Sequence, residues 1–111
     1  MDLVVAPHAP GVAVARLEGR LDLLSAQELK VRLAETVAAG HQRLVVDLGE
    51  VPFIDSSGLG ALISGLKVAR QAGGDLRIAR PGDQPRTVLQ LTTLDRVLRP
   101  YATVEEALAG F

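Results

Sequence analysis

The chain has 111 residues, 48% of them hydrophobic and 23% charged, which is the composition of one globular domain with one continuous core. Its 12 basic and 13 acidic side chains give a formal charge of −1, so binding along a nucleic-acid phosphate backbone is excluded as its main work. It contains no cysteine, which excludes disulfides, thiolate catalysis and cysteine-held zinc.

Residues 3–6 form a short apolar run closed by Pro7 and Pro10, suited to an edge strand because proline donates nothing to a ladder. Residues 12–18 alternate with period two and read as a strand that Gly19 ends. Ser25 and Glu28 have capping-box spacing and open a helix with Ala26, Leu29, Leu33 and Val37 on one face and Gly40 as its stop. Residues 43–48, apolar on both faces apart from Asp47, belong in the middle of a covered sheet. After Phe53 and Ile54, the run DSSGLG at 55–60 leads into a helix to about Ala72, which Gly73 and Gly74 break. Residues 75–79 are the next strand. A turn over 80–84 then places Pro85 at the first position of a helix reaching about Leu94. Residues 96–98 are a candidate last strand, and Thr103 with Glu106 forms a second capping box before a C-terminal helix. This order predicts an α/β fold in a single domain, 1–111, with a mixed four- to five-stranded β-sheet and about four α-helices.

No basic, apolar and small-residue succession marks the N-terminus as a signal peptide. The uncharged stretch 56–66 is far shorter than the ~20 residues of a membrane span. A cytoplasmic protein without a membrane partner is expected.

Residues 55–60 lie where a buried strand hands over to a helix, the position at which α/β proteins gather ligands and chemistry. The first N–H groups of that helix are unpaired and carry the positive end of its dipole. One serine there is explained as an N-cap. Two adjacent hydroxyls, Ser56 and Ser57, are less well explained, as are Gly58 and Gly60, each weakening the helix start by roughly 1 kcal/mol. The glycines uncover backbone for another surface or an enzyme to approach, and a phosphoryl group on either serine would meet open amides. Both readings, structural cap and modifiable contact site, stand. Along the helix, Leu59, Leu62, Ile63, Leu66 and Ala69 share a sheet-facing side, and Gly60, Ser64, Lys67 and Gln71 form a polar stripe. Ser57, Ala61, Gly65, Val68 and Ala72 make a smooth uncharged face, either for a neighbouring helix or for docking continuous with the serines.

Enzyme signatures are absent. The serines do not fit a nucleophile elbow, and His8 and His41 read as exposed bystanders. Leu66 stands where a phosphate-binding loop from Gly60 needs lysine, and Ile63 where a dinucleotide fingerprint needs its third glycine. Asp22, Asp47 and Asp55 all fall near strand ends and read either as solvated loop residues and caps or as a magnesium cluster. No catalytic residue, cofactor or metal is expected.

The succession Gly19-Arg20-Leu21-Asp22, the Ser25 capping box, LVVDLGEVPFIDSSGLGAL and the Gly73-Gly74 break together resemble the STAS domain, and more narrowly a bacterial anti-sigma factor antagonist. The resemblance runs from about Leu3 to Phe111. It implies a binding protein whose unphosphorylated form docks on an anti-sigma factor that is also a serine kinase, releasing the sigma factor. The kinase then phosphorylates the serine after the motif aspartate, and a PP2C-type, metal-dependent serine phosphatase reverses this. Carried over, the phosphoacceptor is Ser56, with Ser57 as the alternate and the cap. Asp22 and Asp55 are the motif acids nearby, and the implied partner-binding set is Asp22, Asp55, Ser57, Gly58, Leu59, Gly60, Ala61 and Ser64. Arg20 departs from the acidic residue that many relatives carry there, reversing a charge beside the docking surface. The alternative is a STAS interaction module of a transporter accessory or stress-sensing complex, without serine phosphorylation.

Overall fold

A computed structural model describes residues 1–111. The elements are β1 (Asp2–Ala9), β2 (Val12–Glu18), α1 (Leu23–Ala38), β3 (Arg43–Glu50), α2 (Ser56–Gln71), β4 (Asp75–Ala79), α3 (Asp83–Leu91), β5 (Pro100–Tyr101) and α4 (Val104–Leu108), with a 3-10 turn at Leu94–Arg96. The strands form one five-stranded sheet in the order β1-β2-β3-β4-β5. The first pair is antiparallel and the others are parallel, as the alternation of elements predicts. β1 runs past Pro7 to Ala9 because it is an edge strand, and its register shifts between Pro7 and Ala9.

The two faces of the sheet are covered unequally. Leu44, Val46 and Leu48 of β3 enter a cluster of 21 buried residues with Leu29 and Leu33 of α1 and Leu62 and Leu66 of α2. Val45 and Ala79 meet only Ala107 of α4 on the other side, flanked by Tyr101, Val104 and Phe111. The alternation of β3 side chains between two covered faces is why that strand is apolar almost throughout. Gly65 lets α1 and α2 lie close, since a Cβ there would stand 2.6 Å from Leu33 Cδ1. The uncharged face of α2 is therefore helix-packing surface at Gly65, and Ala61 is buried in the same core, rather than a free docking face.

Three local expectations are corrected here. Asp22, not Ser25, caps α1, and Ser25 is the third helical residue of that capping box. Pro85 is the third residue of α3, where its missing N–H costs nothing because first-turn donors lack helical partners anyway; α3 stops at Leu91. The last strand is Pro100–Tyr101, because Leu98 turns inward to full burial behind the 3-10 turn instead of pairing in the sheet. The expectations for Ser57 and Asp47 are corrected below, with the site. Thr103 caps α4 as expected, its hydroxyl accepting from the Glu106 amide at 3.0 Å. No helix is long and apolar enough to cross a membrane.

Candidate functional site

Beyond the ends of β2 and β3 the chain stays paired for one more step, through a parallel bridge between Leu21 and Ile54. Leu21 N–H donates to the Phe53 carbonyl at 2.9 Å, and Asp55 N–H donates to the Leu21 carbonyl at 3.2 Å. This bridge sets the N-caps of α1 and α2, Asp22 and Asp55, side by side. Asp22 Oδ1 accepts from the Leu24 amide at 3.1 Å. The Ser25 hydroxyl accepts from Asp22 N–H at 3.0 Å and donates to the Arg20 carbonyl at 2.9 Å. Asp55 serves both helices: Oδ1 accepts from the Gly58 amide at 2.9 Å and Oδ2 from the Leu23 amide at 3.1 Å. One carboxylate thus ties the starts of α1 and α2 together while meeting the positive ends of both dipoles.

The same closeness explains Gly58. A Cβ there would collide with the Leu21 carbonyl oxygen, so this glycine admits the chain's own backbone rather than an outside surface. Gly60 is the opposite case, with nothing within 4 Å of where its Cβ would stand.

Because Asp55 is the cap, neither serine is, which corrects the assignment of that role to Ser57. Ser56 is the first residue of α2 and is exposed, whereas Ser57 is half-buried. Neither hydroxyl bonds to another group of the chain. Their amides precede the first helical donor, and Asp55 serves Gly58 rather than either of them. The site therefore presents a free hydroxyl over two open N–H groups, an arrangement that accommodates an anion.

Of the eight residues implied as partner-binding, Gly58, Leu59 and Ala61 are buried, Leu59 at 5% and Ala61 at 4% exposure. They hold the surface in place without presenting side chains to it. Gly60 is exposed, and Asp22, Asp55, Ser57 and Ser64 are half-buried at or beside the surface. Arg20 lies 4.1 Å over the Phe53 ring and 3.6 Å from Asp22 Oδ2, so its charge is partly answered within the site.

Three further residues belong here that the sequence did not single out. Gln84 of α3 accepts from Ile54 N–H at 2.8 Å and donates to the Ile54 carbonyl at 2.9 Å, clamping the strand just before Asp55. Leu23 and Leu24 open α1 at 72% and 91% exposure beside Asp22 and Asp55. Two leucines directly after a cap, outside the helix's apolar period, were the available signal.

Asp47 does not join Asp22 and Asp55. It lies on the α4 face of the sheet and is paired with Arg80 at 2.8 and 2.9 Å, which corrects its reading as a solvated loop residue or a member of a cation cluster. No three His, Cys, Asp or Glu side chains come together as a cation site. His8 and His41 lie at the end of the sheet where β2 and β3 begin, while the serines follow the end where β3 finishes, so neither is a base for a serine nucleophile. His8 is exposed as expected; His41 is half-buried, and its Nδ1 has no partner.

The STAS domain family matches residues 4–107. Anti-sigma-F factor antagonist RsfB of Mycobacterium tuberculosis is 35% identical over 108 residues, 97% of this chain and 87% of that protein. The crystal structure of an anti-sigma factor antagonist from Mycobacterium paratuberculosis superposes with a TM-score of 0.85 at 30% identity, covering 96% of this chain and 90% of that one. An anti-sigma-factor antagonist (STAS) domain protein from Planctomyces limnophilus gives 0.84 at 25% identity, covering 97% and 96%. The murine anion transporter Slc26a9 gives 0.77 at 14% identity over 93% of this chain and 18% of that one, a likeness of fold alone. The chain belongs to the STAS domain family, among relatives that are anti-sigma factor antagonists. These are regulatory binding proteins and not a class of enzyme.

Proposed function

We propose that this protein is an anti-sigma factor antagonist whose surface around the α2 N-terminus binds an anti-sigma factor with serine kinase activity, and that phosphorylation of Ser56 switches this binding off. A PP2C-type serine phosphatase restores the binding form. The same reading takes residues 1–111 as one functional domain acting in the cytoplasm, on a protein partner and not on nucleic acid.

The observation that carries the reading is the Ser56 hydroxyl: exposed, unbonded within the chain, and relieved of capping by Asp55. Transfer of a γ-phosphoryl group from ATP to Ser56 Oγ, with loss of its proton and departure of ADP, adds about −1.5 to −2 charges. The open amides of Ser56 and Ser57 and the helix dipole receive that charge, so the fold persists. A partner carboxylate within ~5 Å would meet a repulsion of about 2–6 kcal/mol at an effective dielectric of 20–80. Each ~1.4 kcal/mol is tenfold in affinity, so one phosphoryl group suffices to release the partner.

With the purified cognate anti-sigma factor and ATP, mass spectrometry should locate a single phosphoryl group on Ser56. Calorimetry should find Ser56→Ala bound whether or not ATP is present, and Ser56→Asp, with about half the charge of the phosphoryl group, weakened at least about fourfold with an unchanged circular dichroism spectrum. A phosphoryl group on Ser57 instead, or an unfolded Ser56→Asp, would refute the switch.

A further inference from the structure

At the opposite end of α2 from Ser56 lies a cavity of about 250 Å3 whose lining includes Arg70, Asp75, Arg77, Arg96, Arg99 and Tyr101. The chain as a whole carries a formal charge of −1, yet four of its basic side chains line this one cavity with a single carboxylate. That carboxylate is already engaged. Asp75 Oδ1 accepts from Arg70 Nε at 3.1 Å and from the Leu76 amide at 2.9 Å. Arg77 has committed Nη1, to the carbonyls of Ala107 at 2.8 Å and Ala109 at 2.9 Å, and its guanidinium lies 4.0 Å from the centre of the Phe111 ring. The chain's ion pairs are Arg16–Glu18, Arg20–Asp22, Arg70–Asp75 and Arg80–Asp47, so Arg77, Arg96 and Arg99 have no acidic partner.

Arginines that line one cavity with too few counter-charges repel one another, and an anion that accepts from several of them at once relieves that repulsion. Here they come from four places in the chain: the end of α2, β4, the 3-10 turn and the segment before β5. Arg70 and Arg77 are held by their bonds, giving the cavity two fixed walls, while Arg96 and Arg99 are exposed and free to close on a ligand. The volume lies below the ~300 Å3 at which pockets begin to hold drug-sized molecules.

We infer that this cavity binds a compact phosphate-type polyanion of about pyrophosphate size. The site is separate from the serine surface and does not depend on its function. In a titration of the 15N-labelled protein with sodium pyrophosphate, matched to sodium chloride at equal ionic strength, amides of residues 70, 75–77, 96–99 and 101 should shift saturably with a submillimolar midpoint. Arg96→Gln/Arg99→Gln should raise that midpoint at least about tenfold while keeping a dispersed spectrum. Arg32→Gln, an arginine of α1 outside the cavity, should leave it unchanged, as should Ser56→Asp. Shifts reproduced by sodium chloride, shifts that fail to saturate, or a double variant that titrates like the parent would each overturn the assignment without touching the Ser56 reading.

Discussion

Asp47 shows how a single residue of β3 can be buried and still charged. At 5% exposure, burial by itself pushes its carboxyl up. The hydrogen bonds from Arg80 and from the Gly49 amide at 3.0 Å, with the charges of Arg80 and Arg16, outweigh that and hold it below the usual aspartate range. Arg80 reaches this position with a left-handed backbone, φ +55°, and lies across Gly49, where any Cβ would collide with the guanidinium. A carboxyl whose pKa is lower folded than unfolded contributes stability above its unfolded value, ~3.9, and loses it as pH falls through the folded value. The urea midpoint should therefore drop on going from pH 5 to pH 3, and Asp47→Asn, weaker at pH 7, should show a smaller drop over that interval. Removing only the partner is the harsher change. Arg80→Ala strands a buried carboxylate and should cost about 1–3 kcal/mol at pH 7, less than the ~3–5 of a fully buried pair because the Arg80 side chain is 41% exposed. An acid limb identical in Asp47→Asn and the parent would show that the stabilising charge lies elsewhere.

Within α2, two glycines of the same helix should respond oppositely to the same substitution. Gly65→Ala drives a methyl to 2.6 Å from Leu33 Cδ1 and 3.1 Å from Leu76 Cδ1, and should destabilise by roughly 1–3 kcal/mol through overpacking between α1, α2 and β4. Gly60→Ala meets no atom within 4 Å and should stabilise by about 0.5–1 kcal/mol from helix propensity, while placing a methyl on the surface proposed to dock the partner. Thermal melting separates the two. A Gly60→Ala protein that melts higher yet binds the anti-sigma factor as tightly as the parent would remove Gly60 from the interface. The elements themselves were largely legible. β2 follows from alternation alone, because a strand covered on one or both faces has little freedom in which residues it turns inward. The caps of α1 and α2 were not, for a physical reason. Ser25…Glu28 and Asp22…Ser25 are overlapping frames of the same capping pattern, and the choice is made by the Leu21–Ile54 bridge, a contact between residues far apart in the chain. Asp55 hid behind two serines for the same reason: its second acceptor role, on the Leu23 amide, exists only once α1 and α2 start side by side. The serine pair was readable from its place after a strand and before a helix, while the choice of Ser56 within it rested on the family resemblance. That Ser56 is free of capping was not readable.

The whole molecule is a sheet with a thick side and a thin one, and this asymmetry governs how it should open. The α1–α2 side holds the 21-residue core, whereas α4 is a five-residue helix that contributes one fully buried side chain, Ala107, to a cluster of three. So short a helix has almost no stability of its own and depends on what it packs against. Much of its anchorage is Arg77, whose Nη1 gathers the carbonyls of Ala107 and Ala109 and whose guanidinium stacks on Phe111 and faces Tyr101 at 5.6 Å. Local opening free energies range from near zero up to the global value, and segments with few buried apolar contacts sit at the low end. Amide exchange should therefore find α4 (Val104–Leu108) opening well before β3 and the core-facing turns of α2. Arg77→Gln should lower protection in α4 and at Tyr101 while leaving β2, β3 and α1 near their parental values. Because the serine surface is built from α1, α2 and the Leu21–Ile54 bridge, all on the thick side, the same variant should still bind the anti-sigma factor. If Arg77→Gln instead lowers protection uniformly through both faces, the two layers unfold as one unit and the thin side is as integral to the domain as the thick one.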